Sequence, residues 1–267
     1  MNLDDLFGLH GRVALVTGGS RGIGKMIVEG FLAAGIERVY ITARKVAQVE
    51  ETVAELGVRV IGIPGDISTI EGIDALVADL TARESKLDVL VNNAGAAWGA
   101  EYLDFPESGW DKVMDLNVKA PFFLTQKLHP LLTSAASAER PAKVINIASI
   151  DGMRINPWET YSYQASKAAM IHLTRRMAAR LVADHVYVSG IGPGAFPSEM
   201  NKAARDAEEA TSAGIPAQRV GDAFDVGGTA VYLAARSGDY TIGETIAVDG
   251  GVVNANLPGR VVDPSGR

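Results

Sequence analysis

Arg12-Val13-Ala14-Leu15-Val16-Thr17-Gly18-Gly19-Ser20-Arg21-Gly22-Ile23-Gly24-Lys25-Met26-Ile27-Val28 is the stretch on which the reading of this chain turns. It begins as a short apolar run without alternation, the pattern of a strand covered on both faces. It ends with apolar residues at helical spacing. Between the two lie glycines spaced Gly-x3-Gly-x-Gly, at 18, 22 and 24. Glycine there allows a tight turn, a close backbone approach to a pyrophosphate and close packing of helix on strand, while the helix N-terminus offers oriented N–H groups to an anion. A glycine loop alone is a weak signal. Placed between the first strand and first helix of an alternating chain, it points to a dinucleotide site formed by Gly18, Ser20, Arg21, Gly22, Ile23 and Gly24.

Outward from this stretch the alternation continues. Strands are expected at 12–17, 38–42, 58–63, 87–91, 143–149, 186–191 and 245–248, with helical patterns at 22–34, 46–56, 70–81, 110–132, 162–182 and 222–235. This predicts an α/β, Rossmann-type, doubly wound sheet of seven parallel strands with helices on both faces. No linker or repeat divides the chain, so residues 1–251 are read as a single dinucleotide-binding and catalytic domain. Residues 252–267, broken by glycine and proline after Asn256, are read as a tail that either frays or reaches a neighbouring subunit.

The composition narrows the function. The 267 residues carry 25 Lys+Arg and 32 Asp+Glu, a net charge of −7, and 47% are apolar. That supports a sizeable core and argues against nucleic-acid or anionic-membrane partners. Cysteine is absent, which excludes disulfides, a thiolate nucleophile and Cys-ligated metal. The four histidines show no metal-ligand spacing, and no metal is expected. The acidic N-terminus lacks the features of a signal peptide, and no run is long enough to span a membrane, so a cytoplasmic location is expected. Many of the 29 glycines sit just after the expected strands, at the edge where open α/β sheets bind ligands.

The second strand is followed by Ala43-Arg44-Lys45, with no carboxylate at the turn. A carboxylate there would accept from a ribose 2′-OH, whereas Arg44, aided by Arg21, suits a 2′-phosphate, so NADP(H) is expected over NAD(H). The competing reading is that Arg44 and Lys45 are a solvated turn. Three further segments carry candidate chemistry: Asn92-Asn93-Ala94-Gly95 after the fourth strand, Ser149 after the fifth, and Tyr163-Gln164-Ala165-Ser166-Lys167 at the start of the next helix. Tyr163 and Lys167 share one helix face. A phenol is a poor acid at neutral pH, but a neighbouring ammonium and an oxidised nicotinamide should draw its pKa down toward working pH. Ser149 can hydrogen-bond the reacting oxygen. Composition alone supplies a Tyr-x3-Lys pair in about one such chain in four, and the weight comes from its coincidence with the glycine loop and Ser149.

With these residues assembled, the chain resembles the short-chain dehydrogenase/reductase family. The matching positions are Thr17-Gly18-x3-Gly22-Ile23-Gly24, Asp66, Asn92-Asn93-Ala94-Gly95, Asn117, Ser149, Tyr163-x3-Lys167, Pro193-Gly194 and Asp249-Gly250-Gly251, in family order over nearly the whole chain. The resemblance implies that Tyr163 exchanges a proton with a carbonyl or alcohol, Lys167 lowers its pKa and binds the nicotinamide ribose, and Ser149 orients the substrate. It also implies that Asn117 holds a water linking Lys167 to solvent. Asp66 and Ile67 would contact adenine, and Asn93, Ala94 and Gly95 would line the cofactor. Pro193, Gly194 and Phe196 would touch the nicotinamide side. The family often has Asn-x-Ile-x-Pro-Gly where this chain has Ser189-Gly190-Ile191-Gly192-Pro193-Gly194. Ser198 is the nearest hydroxyl to the position where a Thr commonly binds the carboxamide.

Within the family the chain is most similar to 3-oxoacyl reductases. That implies reduction of a small-molecule ketone to a secondary alcohol. Trp98, Ile150, Met153, Trp158 and a mobile amphipathic lid over 195–214 are expected to wall the substrate pocket. Two alternatives stand: an NAD-dependent secondary-alcohol dehydrogenase, and a non-catalytic dinucleotide-binding regulatory protein. The resemblance further implies a homo-oligomer, tetramer or dimer, built on the helices at 110–132 and 162–182.

Overall fold

In the computed structural model, residues 1–199 and 201–255 are described. The opening apolar run forms β1 (Val13–Thr17), buried at all five positions. Ala14 and Val16 face one apolar layer with Ile27, Val28 and Phe31, whereas Val13 and Leu15 face another with Leu76, Leu80 and Leu128. Both faces are therefore covered, which is why the strand shows no polar alternation. The remaining strands are β2 (Arg38–Thr42), β3 (Val60–Gly62), β4 (Val89–Asn92), β5 (Ala142–Ile147), β6 (Val186–Pro193) and β7 (Thr245–Val248). All pair in parallel, in the order β3-β2-β1-β4-β5-β6-β7. The order reverses between β1 and β4, so a crevice opens above their carboxyl ends.

A short capped turn, α1 (Leu3–Phe7), precedes β1; Asn2 Oδ1 accepts from the Asp5 N–H at 2.8 Å, and Asp5 returns the bond. One face of the sheet carries α2 (Gly22–Ala33), α3 (Val46–Leu56) and α10 (Ala223–Ala234). The other carries α4 (Ile70–Arg83), α6 (Ala120–Ala135) and α7 (Tyr161–Leu181). The helix expected over 110–132 is not continuous. Helix α5 (Glu107–Met114) runs into a π-helical turn, Asp115–Lys119, before α6 begins. Pro121 favours the irregularity: it has no N–H to give the carbonyl of Asn117 four residues earlier, so one α-helical bond is missing where the π-helical turn meets α6.

The segment expected as a lid over 195–214 contains two short helices, α8 (Lys202–Asp206) and α9 (Glu208–Ser212). Ala204, Ile215, Val220 and Val252 pack with Ile150 in a small apolar cluster. The start of the expected tail is thus seated on its own chain; residues 256–267 lie outside the described residues. Among the described residues no helix is long and apolar enough to cross a membrane.

Candidate active site

A cavity of about 650 Å³ lies at the carboxyl ends of the strands. Ser20, Arg21, Ile23 and Gly24 from the glycine loop line it, as do Arg44, Asp66, Ile67, Asn93, Ala94 and Gly95. Ser149, Ile150, Trp158, Tyr163 and Lys167 line it too, with Pro193, Gly194, Phe196, Ser198 and Gly18. Four expected positions are not in its wall: Gly22, Trp98, Asn117 and Met153. Trp98 packs on Gly109, under Lys112, whose ammonium is 5.1 Å from the indole centroid. Met153 turns into the space above Gly192 and joins Ala148 and Met170 in an apolar cluster. Both follow the commoner fate of large apolar side chains, which is packing rather than pocket.

The glycine loop is fastened to the end of β4. Thr17 Oγ1 accepts from the N–H groups of Asn93 and Ala94, both at 2.9 Å, and Asn93 Nδ2 donates to the carbonyls of Thr17 at 2.8 Å and Gly18 at 3.2 Å. The Asn93 side chain is therefore spent on holding the loop. Gly24 is sterically required: a Cβ would lie 2.3 Å from the Gly18 carbonyl oxygen. At the outer end of the cavity Arg21, Arg44 and Lys45 are all exposed, and none has an ion-pair partner among the described residues. Beside them Thr42 Oγ1 is buried with no hydrogen bond among the described residues. Partial burial works against the charge on Asp66, but hydrogen bonds from Ser68 and the charge of Arg44 hold its carboxyl below the usual range. Three cations without an ion-pair partner among the described residues, an orphaned hydroxyl and a glycine loop opening α2 together fit a dinucleotide bearing a ribose phosphate.

At the inner end Tyr163 and Lys167 come from the first two turns of α7, and Ser149 from the turn after β5. Lys167 is 5% exposed. Its ammonium donates to the Ile147 carbonyl at 2.8 Å and lies 5.6 Å from the Tyr163 ring centroid. The pKa expectation needs correcting, because the chain's own atoms act in the opposite direction. Burial pushes the Tyr163 phenol up to about 12, against the pull of Ser149, and brings Lys167 down to about 8, against the charge of Asp151. Desolvation disfavours both charged forms, and it outweighs the Ser149 hydrogen bond on the phenol and the Asp151 charge on the ammonium.

Asn117 sits in the π-helical turn and is 2% exposed. Its amide accepts from Ala96 N at 2.8 Å and donates to Ala96 O at 2.9 Å and Ser166 Oγ at 3.0 Å. Ser166 in turn donates to the Tyr163 carbonyl at 2.7 Å. The side chain thus ties the loop after β4 to the turn of α7 that presents the phenol and ammonium. Sequence reasoning did not single out Gly152. A Cβ there would lie 2.5 Å from the Lys167 carbonyl carbon, so the absence of a side chain lets the Ser149 turn lie against α7. Nothing in its local sequence distinguishes this contact from an ordinary turn glycine.

Residues 18–253 match the family model described as Enoyl-(Acyl carrier protein) reductase. The chain is 46% identical over 250 residues to the rhamnolipids biosynthesis 3-oxoacyl-[acyl-carrier-protein] reductase of Pseudomonas aeruginosa, covering 92% of this chain and 97% of that protein. It is 33% identical to the 5-keto-D-gluconate 5-reductase of Escherichia coli, over 95% of this chain and 100% of that one. Among solved structures, the Pseudomonas aeruginosa RhlG/NADP active-site complex superposes with a TM-score of 0.90 at 44% identity, covering 95% of this chain and 100% of the other. The chain belongs to the short-chain dehydrogenase/reductase family of oxidoreductases.

Proposed function

We propose that the protein reduces the carbonyl of a small-molecule ketone to a secondary alcohol with NADP(H), and that the substrate is of 3-oxoacyl type. The observation that carries this reading is the convergence of Ser149, Tyr163 and Lys167 on the same cavity as the glycine loop and its unpaired cations. The 46%-identical reductase and the NADP complex of a structural neighbour support it. When bound, the nicotinamide supplies the hydride. Arg21, Arg44 and Lys45 would hold the ribose phosphate, and the loop N–H groups would hold the pyrophosphate. Ser149 donates to the carbonyl oxygen, and the Tyr163 phenol, protonated at neutral pH, delivers the proton to that oxygen as the carbonyl π bond breaks. Lys167 supplies the positive charge that stabilises the phenolate left behind, and Asn117 and Ser166 fix the turn that carries both residues. The same reading takes the enzyme as a cytoplasmic homo-oligomer, tetramer or dimer; the exposed Trp110 and Phe122 on α5 and α6 support assembly through that face. The test is purified protein with NADPH or NADH and a panel of 3-oxoacyl thioesters and ketones. NADPH-dependent turnover is expected, and tight NADPH binding with no turnover of any of them would favour a regulatory protein instead.

A further inference from the structure

We propose that Asp151 and Arg154 form a substrate-recognition pair, selecting a ketone with a hydrogen-bond donor next to the reacting carbonyl and an anionic group farther out. This deepens the ketone-reductase reading and rests on it. Asp151 abuts the reaction centre, since its backbone N–H donates to the Ser149 hydroxyl at 3.1 Å. Its carboxylate is half-buried and lines the cavity, yet among the described residues it has no hydrogen bond or ion pair. Its charge is felt by both Tyr163 and Lys167. Arg154 is one turn farther on, its N–H donating to the Ile150 carbonyl at 3.0 Å, and it too lines the cavity without a partner among the described residues. The two opposite charges are three residues apart and do not neutralise each other: no nitrogen–oxygen contact within 4.0 Å joins them.

A half-buried carboxylate that lines the cavity and has no protein partner among the described residues penalises an apolar substrate, because an alkyl chain laid against it strips water and returns no hydrogen bond. A hydroxyl on the carbon next to the carbonyl repays that cost. The exposed guanidinium then meets a carboxylate or phosphate at the outer end of the same molecule. Hydroxylated oxo acids and hydroxyketone phosphates share this chemistry, and so does a phosphorylated carrier thioester with a polar oxoacyl group.

Four matched ketones separate the two contacts: methyl propyl ketone, its hydroxymethyl analogue, levulinate and hydroxylevulinate. For wild type we expect kcat/KM to rise at least tenfold on adding the hydroxyl and at least tenfold on adding the carboxylate. Asp151→Ala should erase the hydroxyl preference, and Asp151→Asn, which keeps an acceptor oxygen, should retain part of it. Arg154→Met should raise KM for levulinate at least tenfold more than for methyl propyl ketone. Hydroxyketone phosphates and carrier thioesters run in parallel identify the source of the anion. Turnover of all four ketones without either preference, or equal losses across all four in Asp151→Ala, overturns the recognition pair and leaves the reductase reading intact. Failure of wild type to turn over any ketone while it binds NADPH overturns both.

Discussion

Two lysines are buried among the described residues, one near each end of β5, and they differ in what neutralises them. Lys143 on β5 is 2% exposed and forms a 2.6 Å ion pair with Asp239, with the Tyr187 ring beneath its ammonium. Burial lowers its pKa, and Asp239 works against that. Lys167, at 5% exposure, has a backbone carbonyl and a phenol ring, and no carboxylate within ion-pair distance among the described residues. A buried charge without an opposite charge is a cost that folding alone does not justify. Lys143 belongs to the scaffold, and Lys167 marks the place where stability was given up for chemistry.

The contrast is open to direct attack. Tyr163→Phe removes only the proton donor, and kcat should fall by about a thousandfold while the dissociation constant for NADPH, measured by fluorescence titration, stays within about twofold. Asp239→Ala strands the Lys143 ammonium. Unfolding in urea should report a loss of about 2–3 kcal/mol, with kcat per folded molecule unchanged. Arg44→Ala should raise KM for NADPH about tenfold and leave that for NADH nearly constant, since one charge-assisted contact is removed. The smallest effect follows from linkage. Unfolded Lys167 keeps its proton up to its ordinary value of 10.5, whereas the folded residue releases it near 8. The unfolded chain therefore binds more protons between those values, and stability rises with pH there, by about 1 kcal/mol per unit. Tyr163, held near 12 against an ordinary value of 10, reverses the trend above pH 10. Wild type should gain stability from pH 8 to 10 relative to Lys167→Met; parallel curves for the two would show that the lysine is not desolvated.

The sheet and the glycine loop were legible because their signals are local. Apolar runs without alternation in β1 and β4, followed by helical spacing, admit few other arrangements. The Tyr163–Lys167 pair and Ser149 were legible as motif residues, although their electrostatics were not. Spacing along α7 showed that two side chains share a face, but not that neighbouring elements would bury both and push their pKa values apart from where mutual attraction would set them. Trp98 and Met153 were misplaced for a related reason: a large apolar side chain carries no mark saying whether it faces a pocket or another helix. The break at Pro121 could have been read, since a proline eleven residues into the expected 110–132 helix removes a specific donor. Gly152 could not, because its role is set by α7 packing against it.

The Asn117 amide also couples two walls of the site. It bonds to groups 21 and 49 residues away along the chain, one in the loop after β4 and one on α7. Shortening that one side chain would loosen both segments at once, so damage at a residue outside the cavity wall would reach the acid that works inside it.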